Sequence, residues 1–354
     1  MAPYWNKHWG NPSSRQHHQG LIASAAIKLA RRQIAEAMAV TPERVVFTSG
    51  ATEANNLALL GHARTYGSGH LISVNTEHHA VLDPLAQLQR EGFQVTLLQP
   101  QPDGLITPSQ LERAITSDTR LVSVMAANNE IGVLQPLAEL AAICQARNIT
   151  IHSDAAQAFG HIPLGPDVLG LDLISISAHK LYGPKGVGAL IIREGINLQP
   201  LQWGGGQEGG LRAGTLPTAL IVGFATAVQQ AMADREERWK RLACLRDRLW
   251  RGLQQKIPGL QLNGAAYPRL AHNLNITIPR VSGSRLYRDL RPYLTCSSGS
   301  ACSKGAPSHV LQAIGRSRSE ANSSLRLSLG RYSTANDVEQ AIVSIVEAVA
   351  MQQM

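Results

Sequence analysis

The chain has 354 residues, 44% hydrophobic and 16% charged, with a formal net charge of +8. This ordinary globular mixture excludes a disordered chain and is long enough for one large domain or two. Lysine and arginine are scattered, with no zinc-finger spacing or long basic block, and the longest apolar runs, such as GVGALII (186–192), are too short to cross a bilayer. Direct nucleic-acid binding and a membrane-spanning role are therefore not expected.

The opening MAPYWNKHWGNPSS lacks the apolar stretch of a secretory signal, and four cysteines (Cys144, Cys244, Cys296, Cys302) are too few for a disulfide framework, so a reducing cytoplasm is expected. From about residue 45 to 195, short β-branched runs alternate with amphipathic stretches. RVVFTSG leads into TEANNLALLGHAR, HLISVN into EHHAVLDPLAQLQREG, and LVSVMAANN into PLAELAAICQARN; ITIHSDAA, LISISAHK and GALIIR follow. Strands alternating with helices predict an α/β fold, a largely parallel sheet with helices on both faces. One long amphipathic helix is expected over about 217–256, linking to a smaller α+β unit. In that helix, DREERWKRLACLRDRLWR (234–251) interleaves acids and bases as a solvated face does. In the final helix, Thr334 is the expected N-cap with Asp337 three residues on.

In parallel sheets, ligands sit outside the carboxyl ends of the strands. The polar residues at those ends are Thr48 to Thr52, Glu77 and His78, Asn128 to Glu130, Asp154 and Gln157, then Ser177, His179 and Lys180. Standing alone, Lys180 reads as a solvent-exposed amine. The combination points to pyridoxal phosphate, which needs a lysine for a Schiff base and a carboxylate beside its ring nitrogen. It also needs a donor for the ring oxygen, an aromatic to stack on the ring and a phosphate cup. Lys180, Asp154, Gln157 and His78 fill the first four roles, and the Gly50–Thr52 turn with Ser177 and His179 fills the last.

SSGSACSKGAPSH (297–309) has no helical or strand period and reads as a loop around Cys302. An exposed cysteine on a flexible tether calls for a chemical partner. Cys144, Cys244 and Met125 read as packing, and so does Cys296. No histidine pair joins Cys296 and Cys302, so no metal site is expected. His17, His18 and His79 read as surface or supporting groups.

The chain resembles the cysteine desulfurases, fold-type I pyridoxal-phosphate enzymes of the class-V aminotransferase family. The matching stretches are GNPSS, FTSGATEANNLAL, TEHHAVLD, NNEIGVLQP, SDAAQAFG, SAHKLYGPKGVGAL, GGGQEGGLRAGT, SSGSAC and SLRLSLGRY. The resemblance implies a mostly parallel seven-stranded sheet between helices in a large domain, 13–227. It implies a smaller α+β domain from 1–12 and 228–354 that carries the cysteine loop, about 296–307. It further implies that Lys180 holds pyridoxal 5'-phosphate and that Asp154 pairs its ring nitrogen, while His78 stacks on the ring and moves protons. Ala51, Thr52, Ser177 and His179 would bind phosphate, with Thr215 reaching in from the other subunit of a homodimer. Asn129 would meet the cofactor oxygen and the substrate carboxylate, and Arg326 would clamp that carboxylate.

Cys302 falls on the family's catalytic cysteine. Its thiolate would take the sulfur of L-cysteine, leaving L-alanine, and pass it from a persulfide to an acceptor protein for iron–sulfur cluster assembly or tRNA thiolation. Gly299, Ser300, Ser303 and Gly305 would let that arm move, and Cys302 would make transient contact with a cluster. Two features depart from the family. A strand of the type YLDNAATTP is expected before GNPSS, which fits a misplaced start or a shortened enzyme. Gly209 stands where the family usually has arginine. The competing activities are a selenocysteine lyase or C–S lyase, and a catalytically silent scaffold subunit.

Overall fold

The computed structural model describes residues 1–297 and 307–353. They fall into two compact units, one of Met1–Leu98, Thr107–Ala126 and Pro136–Arg235, the other of Gln99–Ile106, Ala127–Gln135 and Glu236–Met354. The division differs from the expected boundaries: residues 1–12 and 228–235 lie in the first unit, and two inserts, 99–106 and 127–135, lie in the second. The opening segment stays with the first unit because Tyr4, Trp5 and Trp9 line one cavity with Pro217 to Ala219.

The first unit is built on seven strands: β1 (Val45–Thr48), β2 (His70–Val74), β3 (Gln94–Leu98), β4 (Thr119–Ser123), β5 (Thr150–Asp154), β6 (Leu173–Ser177) and β7 (Gly188–Ile192). Their order is β1-β7-β6-β5-β4-β2-β3, and only β7 runs against its neighbours. Because β1 and β6 both oppose β7, β1 points the same way as β2 to β6, and six strands end on one edge, as the alternating pattern predicts. β5, β6 and β7 are buried at every residue, and β7 accordingly reads as an unbroken apolar run, while β5 and β6 carry buried His152, Ser153, Asp154, Ser175 and Ser177; β3, at the edge, is buried only at Leu98. Gly188 is required by close approach: a Cβ there would stand 2.5 Å from the Ile176 carbonyl and 2.8 Å from Gly50 Cα. The chain after β1 thereby sits tight against β7.

TEANNLALLGHAR becomes one continuous run, the helices Ala51–Asn56 and His62–Tyr66 joined by a π-helical turn over Leu57–Gly61. The expected single helix over 217–256 is two helices, Thr218–Ala233 and Arg235–Lys256, parted at Asp234 (φ −117°). The first is apolar and buries Ile221, Phe224 and Val228, whereas the second buries a stripe of Leu242, Leu245, Leu249 and Leu253. A change of core explains the break. It also corrects Cys244, expected as packing: the stripe takes the buried face and leaves Cys244 exposed.

In the second unit, β8 (Gln261–Leu262), β9 (Asn273–Thr277) and β10 (Ser324–Ser328) form an antiparallel sheet that pairs Arg326 with Asn275. Its core joins Leu249, Leu253, Ile276, Leu290, Leu325 and Ile345, each contributing about 1.5–3 kcal/mol of transfer free energy. Cys296 packs against this core, as expected. The insert 127–135 belongs here because Ile131 and Val133 pack with Val310, Leu311, Ile314 and Ala321. The final helix, Ala335–Gln353, opens with the expected cap: the Asp337 N–H donates to Thr334 Oγ1 (3.2 Å), and Asp337 Oδ2 accepts the Thr334 N–H (2.8 Å). Among the described residues, no helix is long and apolar enough to cross a membrane.

Candidate active site

The shared strand edge of the first unit collects the expected residues one strand at a time. Ala51 and Thr52 open the helix after β1, and their amides precede the first helical bond, Ala54 N–H to the Gly50 carbonyl (3.1 Å). After β2, His78 caps the helix His79–Arg90, its Nδ1 accepting the Ala80 N–H (3.0 Å). That bond assigns the neutral tautomer, with the ring proton on Nε2. Asp154 ends β5, and half-buried Gln157 follows in the turn. Ser177 ends β6 and meets His179 Nδ1 at 2.8 Å, while Lys180 stands exposed in the short helix Ala178–Leu181. Partial burial, with the charges of Lys180 and Lys185, lowers the His179 pKa and keeps its ring neutral. Thr215 is exposed in the segment before the helix Thr218–Ala233.

Asp154 carries the most informative contacts. It is only 7% exposed; its Oδ2 accepts from Asn55 Nδ2 (2.7 Å) and its Oδ1 from the Ala156 N–H (2.9 Å). Both donors are neutral, and among the described residues no basic side chain pairs with it. A buried carboxylate without a counter-charge is costly. A protonated ring nitrogen would supply one, so the residues fit pyridoxal phosphate. Glu77 lies nearby, fully buried, accepting the Met125 N–H (2.6 Å). Burial pushes its carboxyl well above the usual range, the Met125 bond offsets this in part, and the charge of Asp154 adds to the rise.

The second unit holds the residues expected at the substrate carboxylate. Arg326 Nη1 donates to the Asn129 carbonyl (2.9 Å) and Nη2 to Ser297 Oγ (3.0 Å). Burial lowers the Arg326 pKa, and Glu130 and Tyr287 offset the shift. The Glu130 carbonyl is fixed in turn by the side-chain amides of Asn273 and Asn275, both 3.1 Å, and its carboxylate accepts from Ser308. Cys302 lies outside the described residues, as do Gly299, Ser300, Ser303 and Gly305. Gly209 follows Glu208 in a left-handed turn (φ 65° and 49°) with open space where a side chain would start. Among the described residues, no three His, Cys, Asp or Glu side chains are grouped to hold a metal.

Sequence reasoning missed Asn55, Asn273, Asn275 and Ser308. The two strand asparagines left a legible trace, since NLNIT alternates along the strand and so places both amides on one face and Leu274 and Ile276 on the other.

The aminotransferase class-V family model matches residues 1–341. The chain is 46% identical to cysteine desulfurase IscS of Aeromonas salmonicida over 96% of its length and 85% of that protein's. It is 44% identical to human cysteine desulfurase over 99% of its length and 78% of that protein's. Among solved structures, a NifS-like protein superposes with a TM-score of 0.93 at 35% identity, covering 99% of this chain and 94% of that one. SspA in complex with cysteine superposes with a TM-score of 0.82 at 36% identity, covering 94% of each chain. The chain belongs to the class-V aminotransferase family and, within it, to the cysteine desulfurases.

Proposed function

We propose that this family member uses pyridoxal 5'-phosphate to remove sulfur from L-cysteine, giving L-alanine and a persulfide on Cys302. The observation that carries the cofactor assignment is Asp154, a buried carboxylate held by neutral donors on the same strand edge as Lys180, His78 and Ser177. When bound, the cofactor supplies an electron sink that acidifies the substrate Cα and weakens the bond to sulfur.

The chain's own residues do the rest. Asn55 and the Ala156 amide fix the Asp154 carboxylate, which keeps the ring nitrogen protonated. Ala51, Thr52, Ser177 and His179 hold the phosphate, with Thr215 of a second copy in a homodimer, and Gln157 donates to the ring oxygen. Lys180 would hold the cofactor covalently, and its amine would move the substrate Cα proton. His78, oriented by its own cap bond, offers a flat face and an Nε2 proton. Asn129 and Arg326 take the substrate carboxylate. The Cys302 thiolate attacks the substrate sulfur: an S–S bond forms, the C–S bond breaks, its electron pair stays on carbon, and protonation there yields alanine. The persulfide then passes to an acceptor, either an iron–sulfur scaffold or a tRNA-thiolation protein.

The test is Cys302→Ser. The variant should retain the cofactor and bind cysteine, yet give no persulfide on the peptide containing residue 302 and no sustained alanine. Undiminished alanine from cysteine would overturn the reading in favour of direct C–S cleavage. Wild-type protein that released alanine from selenocysteine and none from cysteine would identify a selenocysteine lyase.

A further inference from the structure

The turn assigned to the cofactor phosphate has a like charge built into it. Glu53 stands in the first turn of the helix Ala51–Asn56, next to Thr52. An anion there opposes a phosphate at the same helix start. Both of its oxygens are engaged: Oε2 accepts the Ser49 N–H (2.6 Å) and Oε1 accepts Arg212 Nε–H (2.9 Å). Burial alone would raise the Glu53 pKa, but the bonds from Arg212 and Ser49 outweigh it and hold the carboxyl below its ordinary range. Glu53 is therefore an anion at neutral pH, and it fixes the backbone two residues before Ala51.

Arg212 comes from a glycine-rich segment that is itself seated on the sheet. Four residues earlier, Glu208 adopts a left-handed backbone (φ 49°) and buries its side chain to 1% exposure. Its carboxylate pairs with Arg31, with Nη1 at 2.9 Å, and accepts the Phe47 N–H (2.6 Å) from the open edge of β1. The Arg31 guanidinium lies over the Phe47 ring, 4.6 Å from its centroid. One segment is thus pinned to β1 through Glu208 and to the turn after β1 through Arg212. Such double seating holds Arg212 where its charge cancels that of Glu53.

We propose that Glu53 and Arg212 are positioning residues for the cofactor phosphate: Glu53 shapes the turn through Ser49, and Arg212 neutralises the charge that Glu53 brings. This rests on the reading of Ala51 and Thr52 as the phosphate turn. If Arg212 is lost, Glu53 keeps its Ser49 bond but stands without a counter-charge in the phosphate turn. If Glu53 is also replaced by glutamine, the acceptor for Ser49 survives without the charge. The pair therefore predicts a suppressor.

The experiment measures dissociation constants of the full-length apoprotein for pyridoxal 5'-phosphate and for pyridoxal, by equilibrium dialysis. Their ratio isolates the phosphate, because a general loss of structure weakens both ligands alike. Arg212→Ala should lower the wild-type preference for the phosphorylated ligand by about tenfold or more, the scale of one charge-assisted pair. Arg212→Lys, which keeps the charge, and the double variant Arg212→Ala with Glu53→Gln should each restore most of it. A ratio in Arg212→Ala within about twofold of wild type, less than one neutral hydrogen bond confers, would overturn the proposal. So would a double variant no better than Arg212→Ala. A wild-type protein that bound pyridoxal as tightly as its phosphate would instead refute the phosphate turn, and the proposal with it.

Discussion

Replacing Arg326 with lysine separates charge from geometry at the site proposed for the substrate carboxylate. A guanidinium has five N–H donors, and two of those on Arg326 are engaged by the protein, at the Asn129 carbonyl (2.9 Å) and Ser297 Oγ (3.0 Å). They fix the plane of the group and leave three donors in a rigid fork for a carboxylate. Lysine keeps the charge but offers a point donor with no fork and no way to hold both protein bonds. Hydrogen bonds to charged groups contribute about 1.5–3 kcal/mol, so KM for L-cysteine should rise roughly 10- to 150-fold in Arg326→Lys with kcat much less changed. Ser297→Ala removes one orienting bond and leaves the guanidinium, so its loss should be smaller, about 0.5–1.5 kcal/mol or roughly two- to twelvefold. Initial rates of alanine formation over a range of cysteine concentrations read both values. A KM within about twofold of wild type in Arg326→Lys, below the span of even one neutral hydrogen bond, would refute the carboxylate role. A collapse of kcat at unchanged KM would also refute it, by placing Arg326 in the chemical steps.

Three other predictions follow from contacts of single residues. Borohydride reduction of the holoprotein, followed by peptide mapping, should place the pyridoxyl group on Lys180; a label on Lys185 or Lys304 would displace that assignment. Asn55→Ala removes a 2.7 Å donor from the buried Asp154 and should lower the stability of the apoprotein to urea by about 1.5–3 kcal/mol; an unchanged midpoint would mean that the bond contributes nothing. His152, held between Ser123 and Ser175, is fully buried, and its pKa is lowered by burial and by His62 to about 3. Because the unfolded chain takes up the proton first, the stability from the neutral ring is present above about pH 6.5 and is lost as pH falls toward about 3, reaching a loss of about 2 kcal/mol at pH 5. His152→Asn should flatten the acid limb of the stability curve by up to one proton; an identical slope would show that His152 titrates normally.

Much of the site was legible because strand ends are local features. A β-branched run followed by small or polar residues marks where β1, β2, β5 and β6 stop, and that alone brought Thr52, His78, Asp154 and Lys180 to one edge. What could not be read was the partner each polar side chain takes across the fold. Asn55 and Asp154 are 99 residues apart, and Arg212 and Glu53 are 159 apart. No periodicity spans such distances. The helical pattern over 217–256 continued through Asp234 because both flanking segments favour helix, although each packs on its own core. The same limit explains Cys244: in a charge-rich helix, a small residue between Leu242 and Leu245 does not show which side of the leucine stripe it falls on until the core under that stripe is known. Asn55 shows where a partial signal lies. Ala54, Asn55 and Leu57 to Ala63 are all buried, so the run has no polar stripe to which an asparagine would belong. An amide inside such a run must have a polar partner on the sheet beneath it. In this chain the requirement is met by the one carboxylate that the cofactor assignment needs held in place.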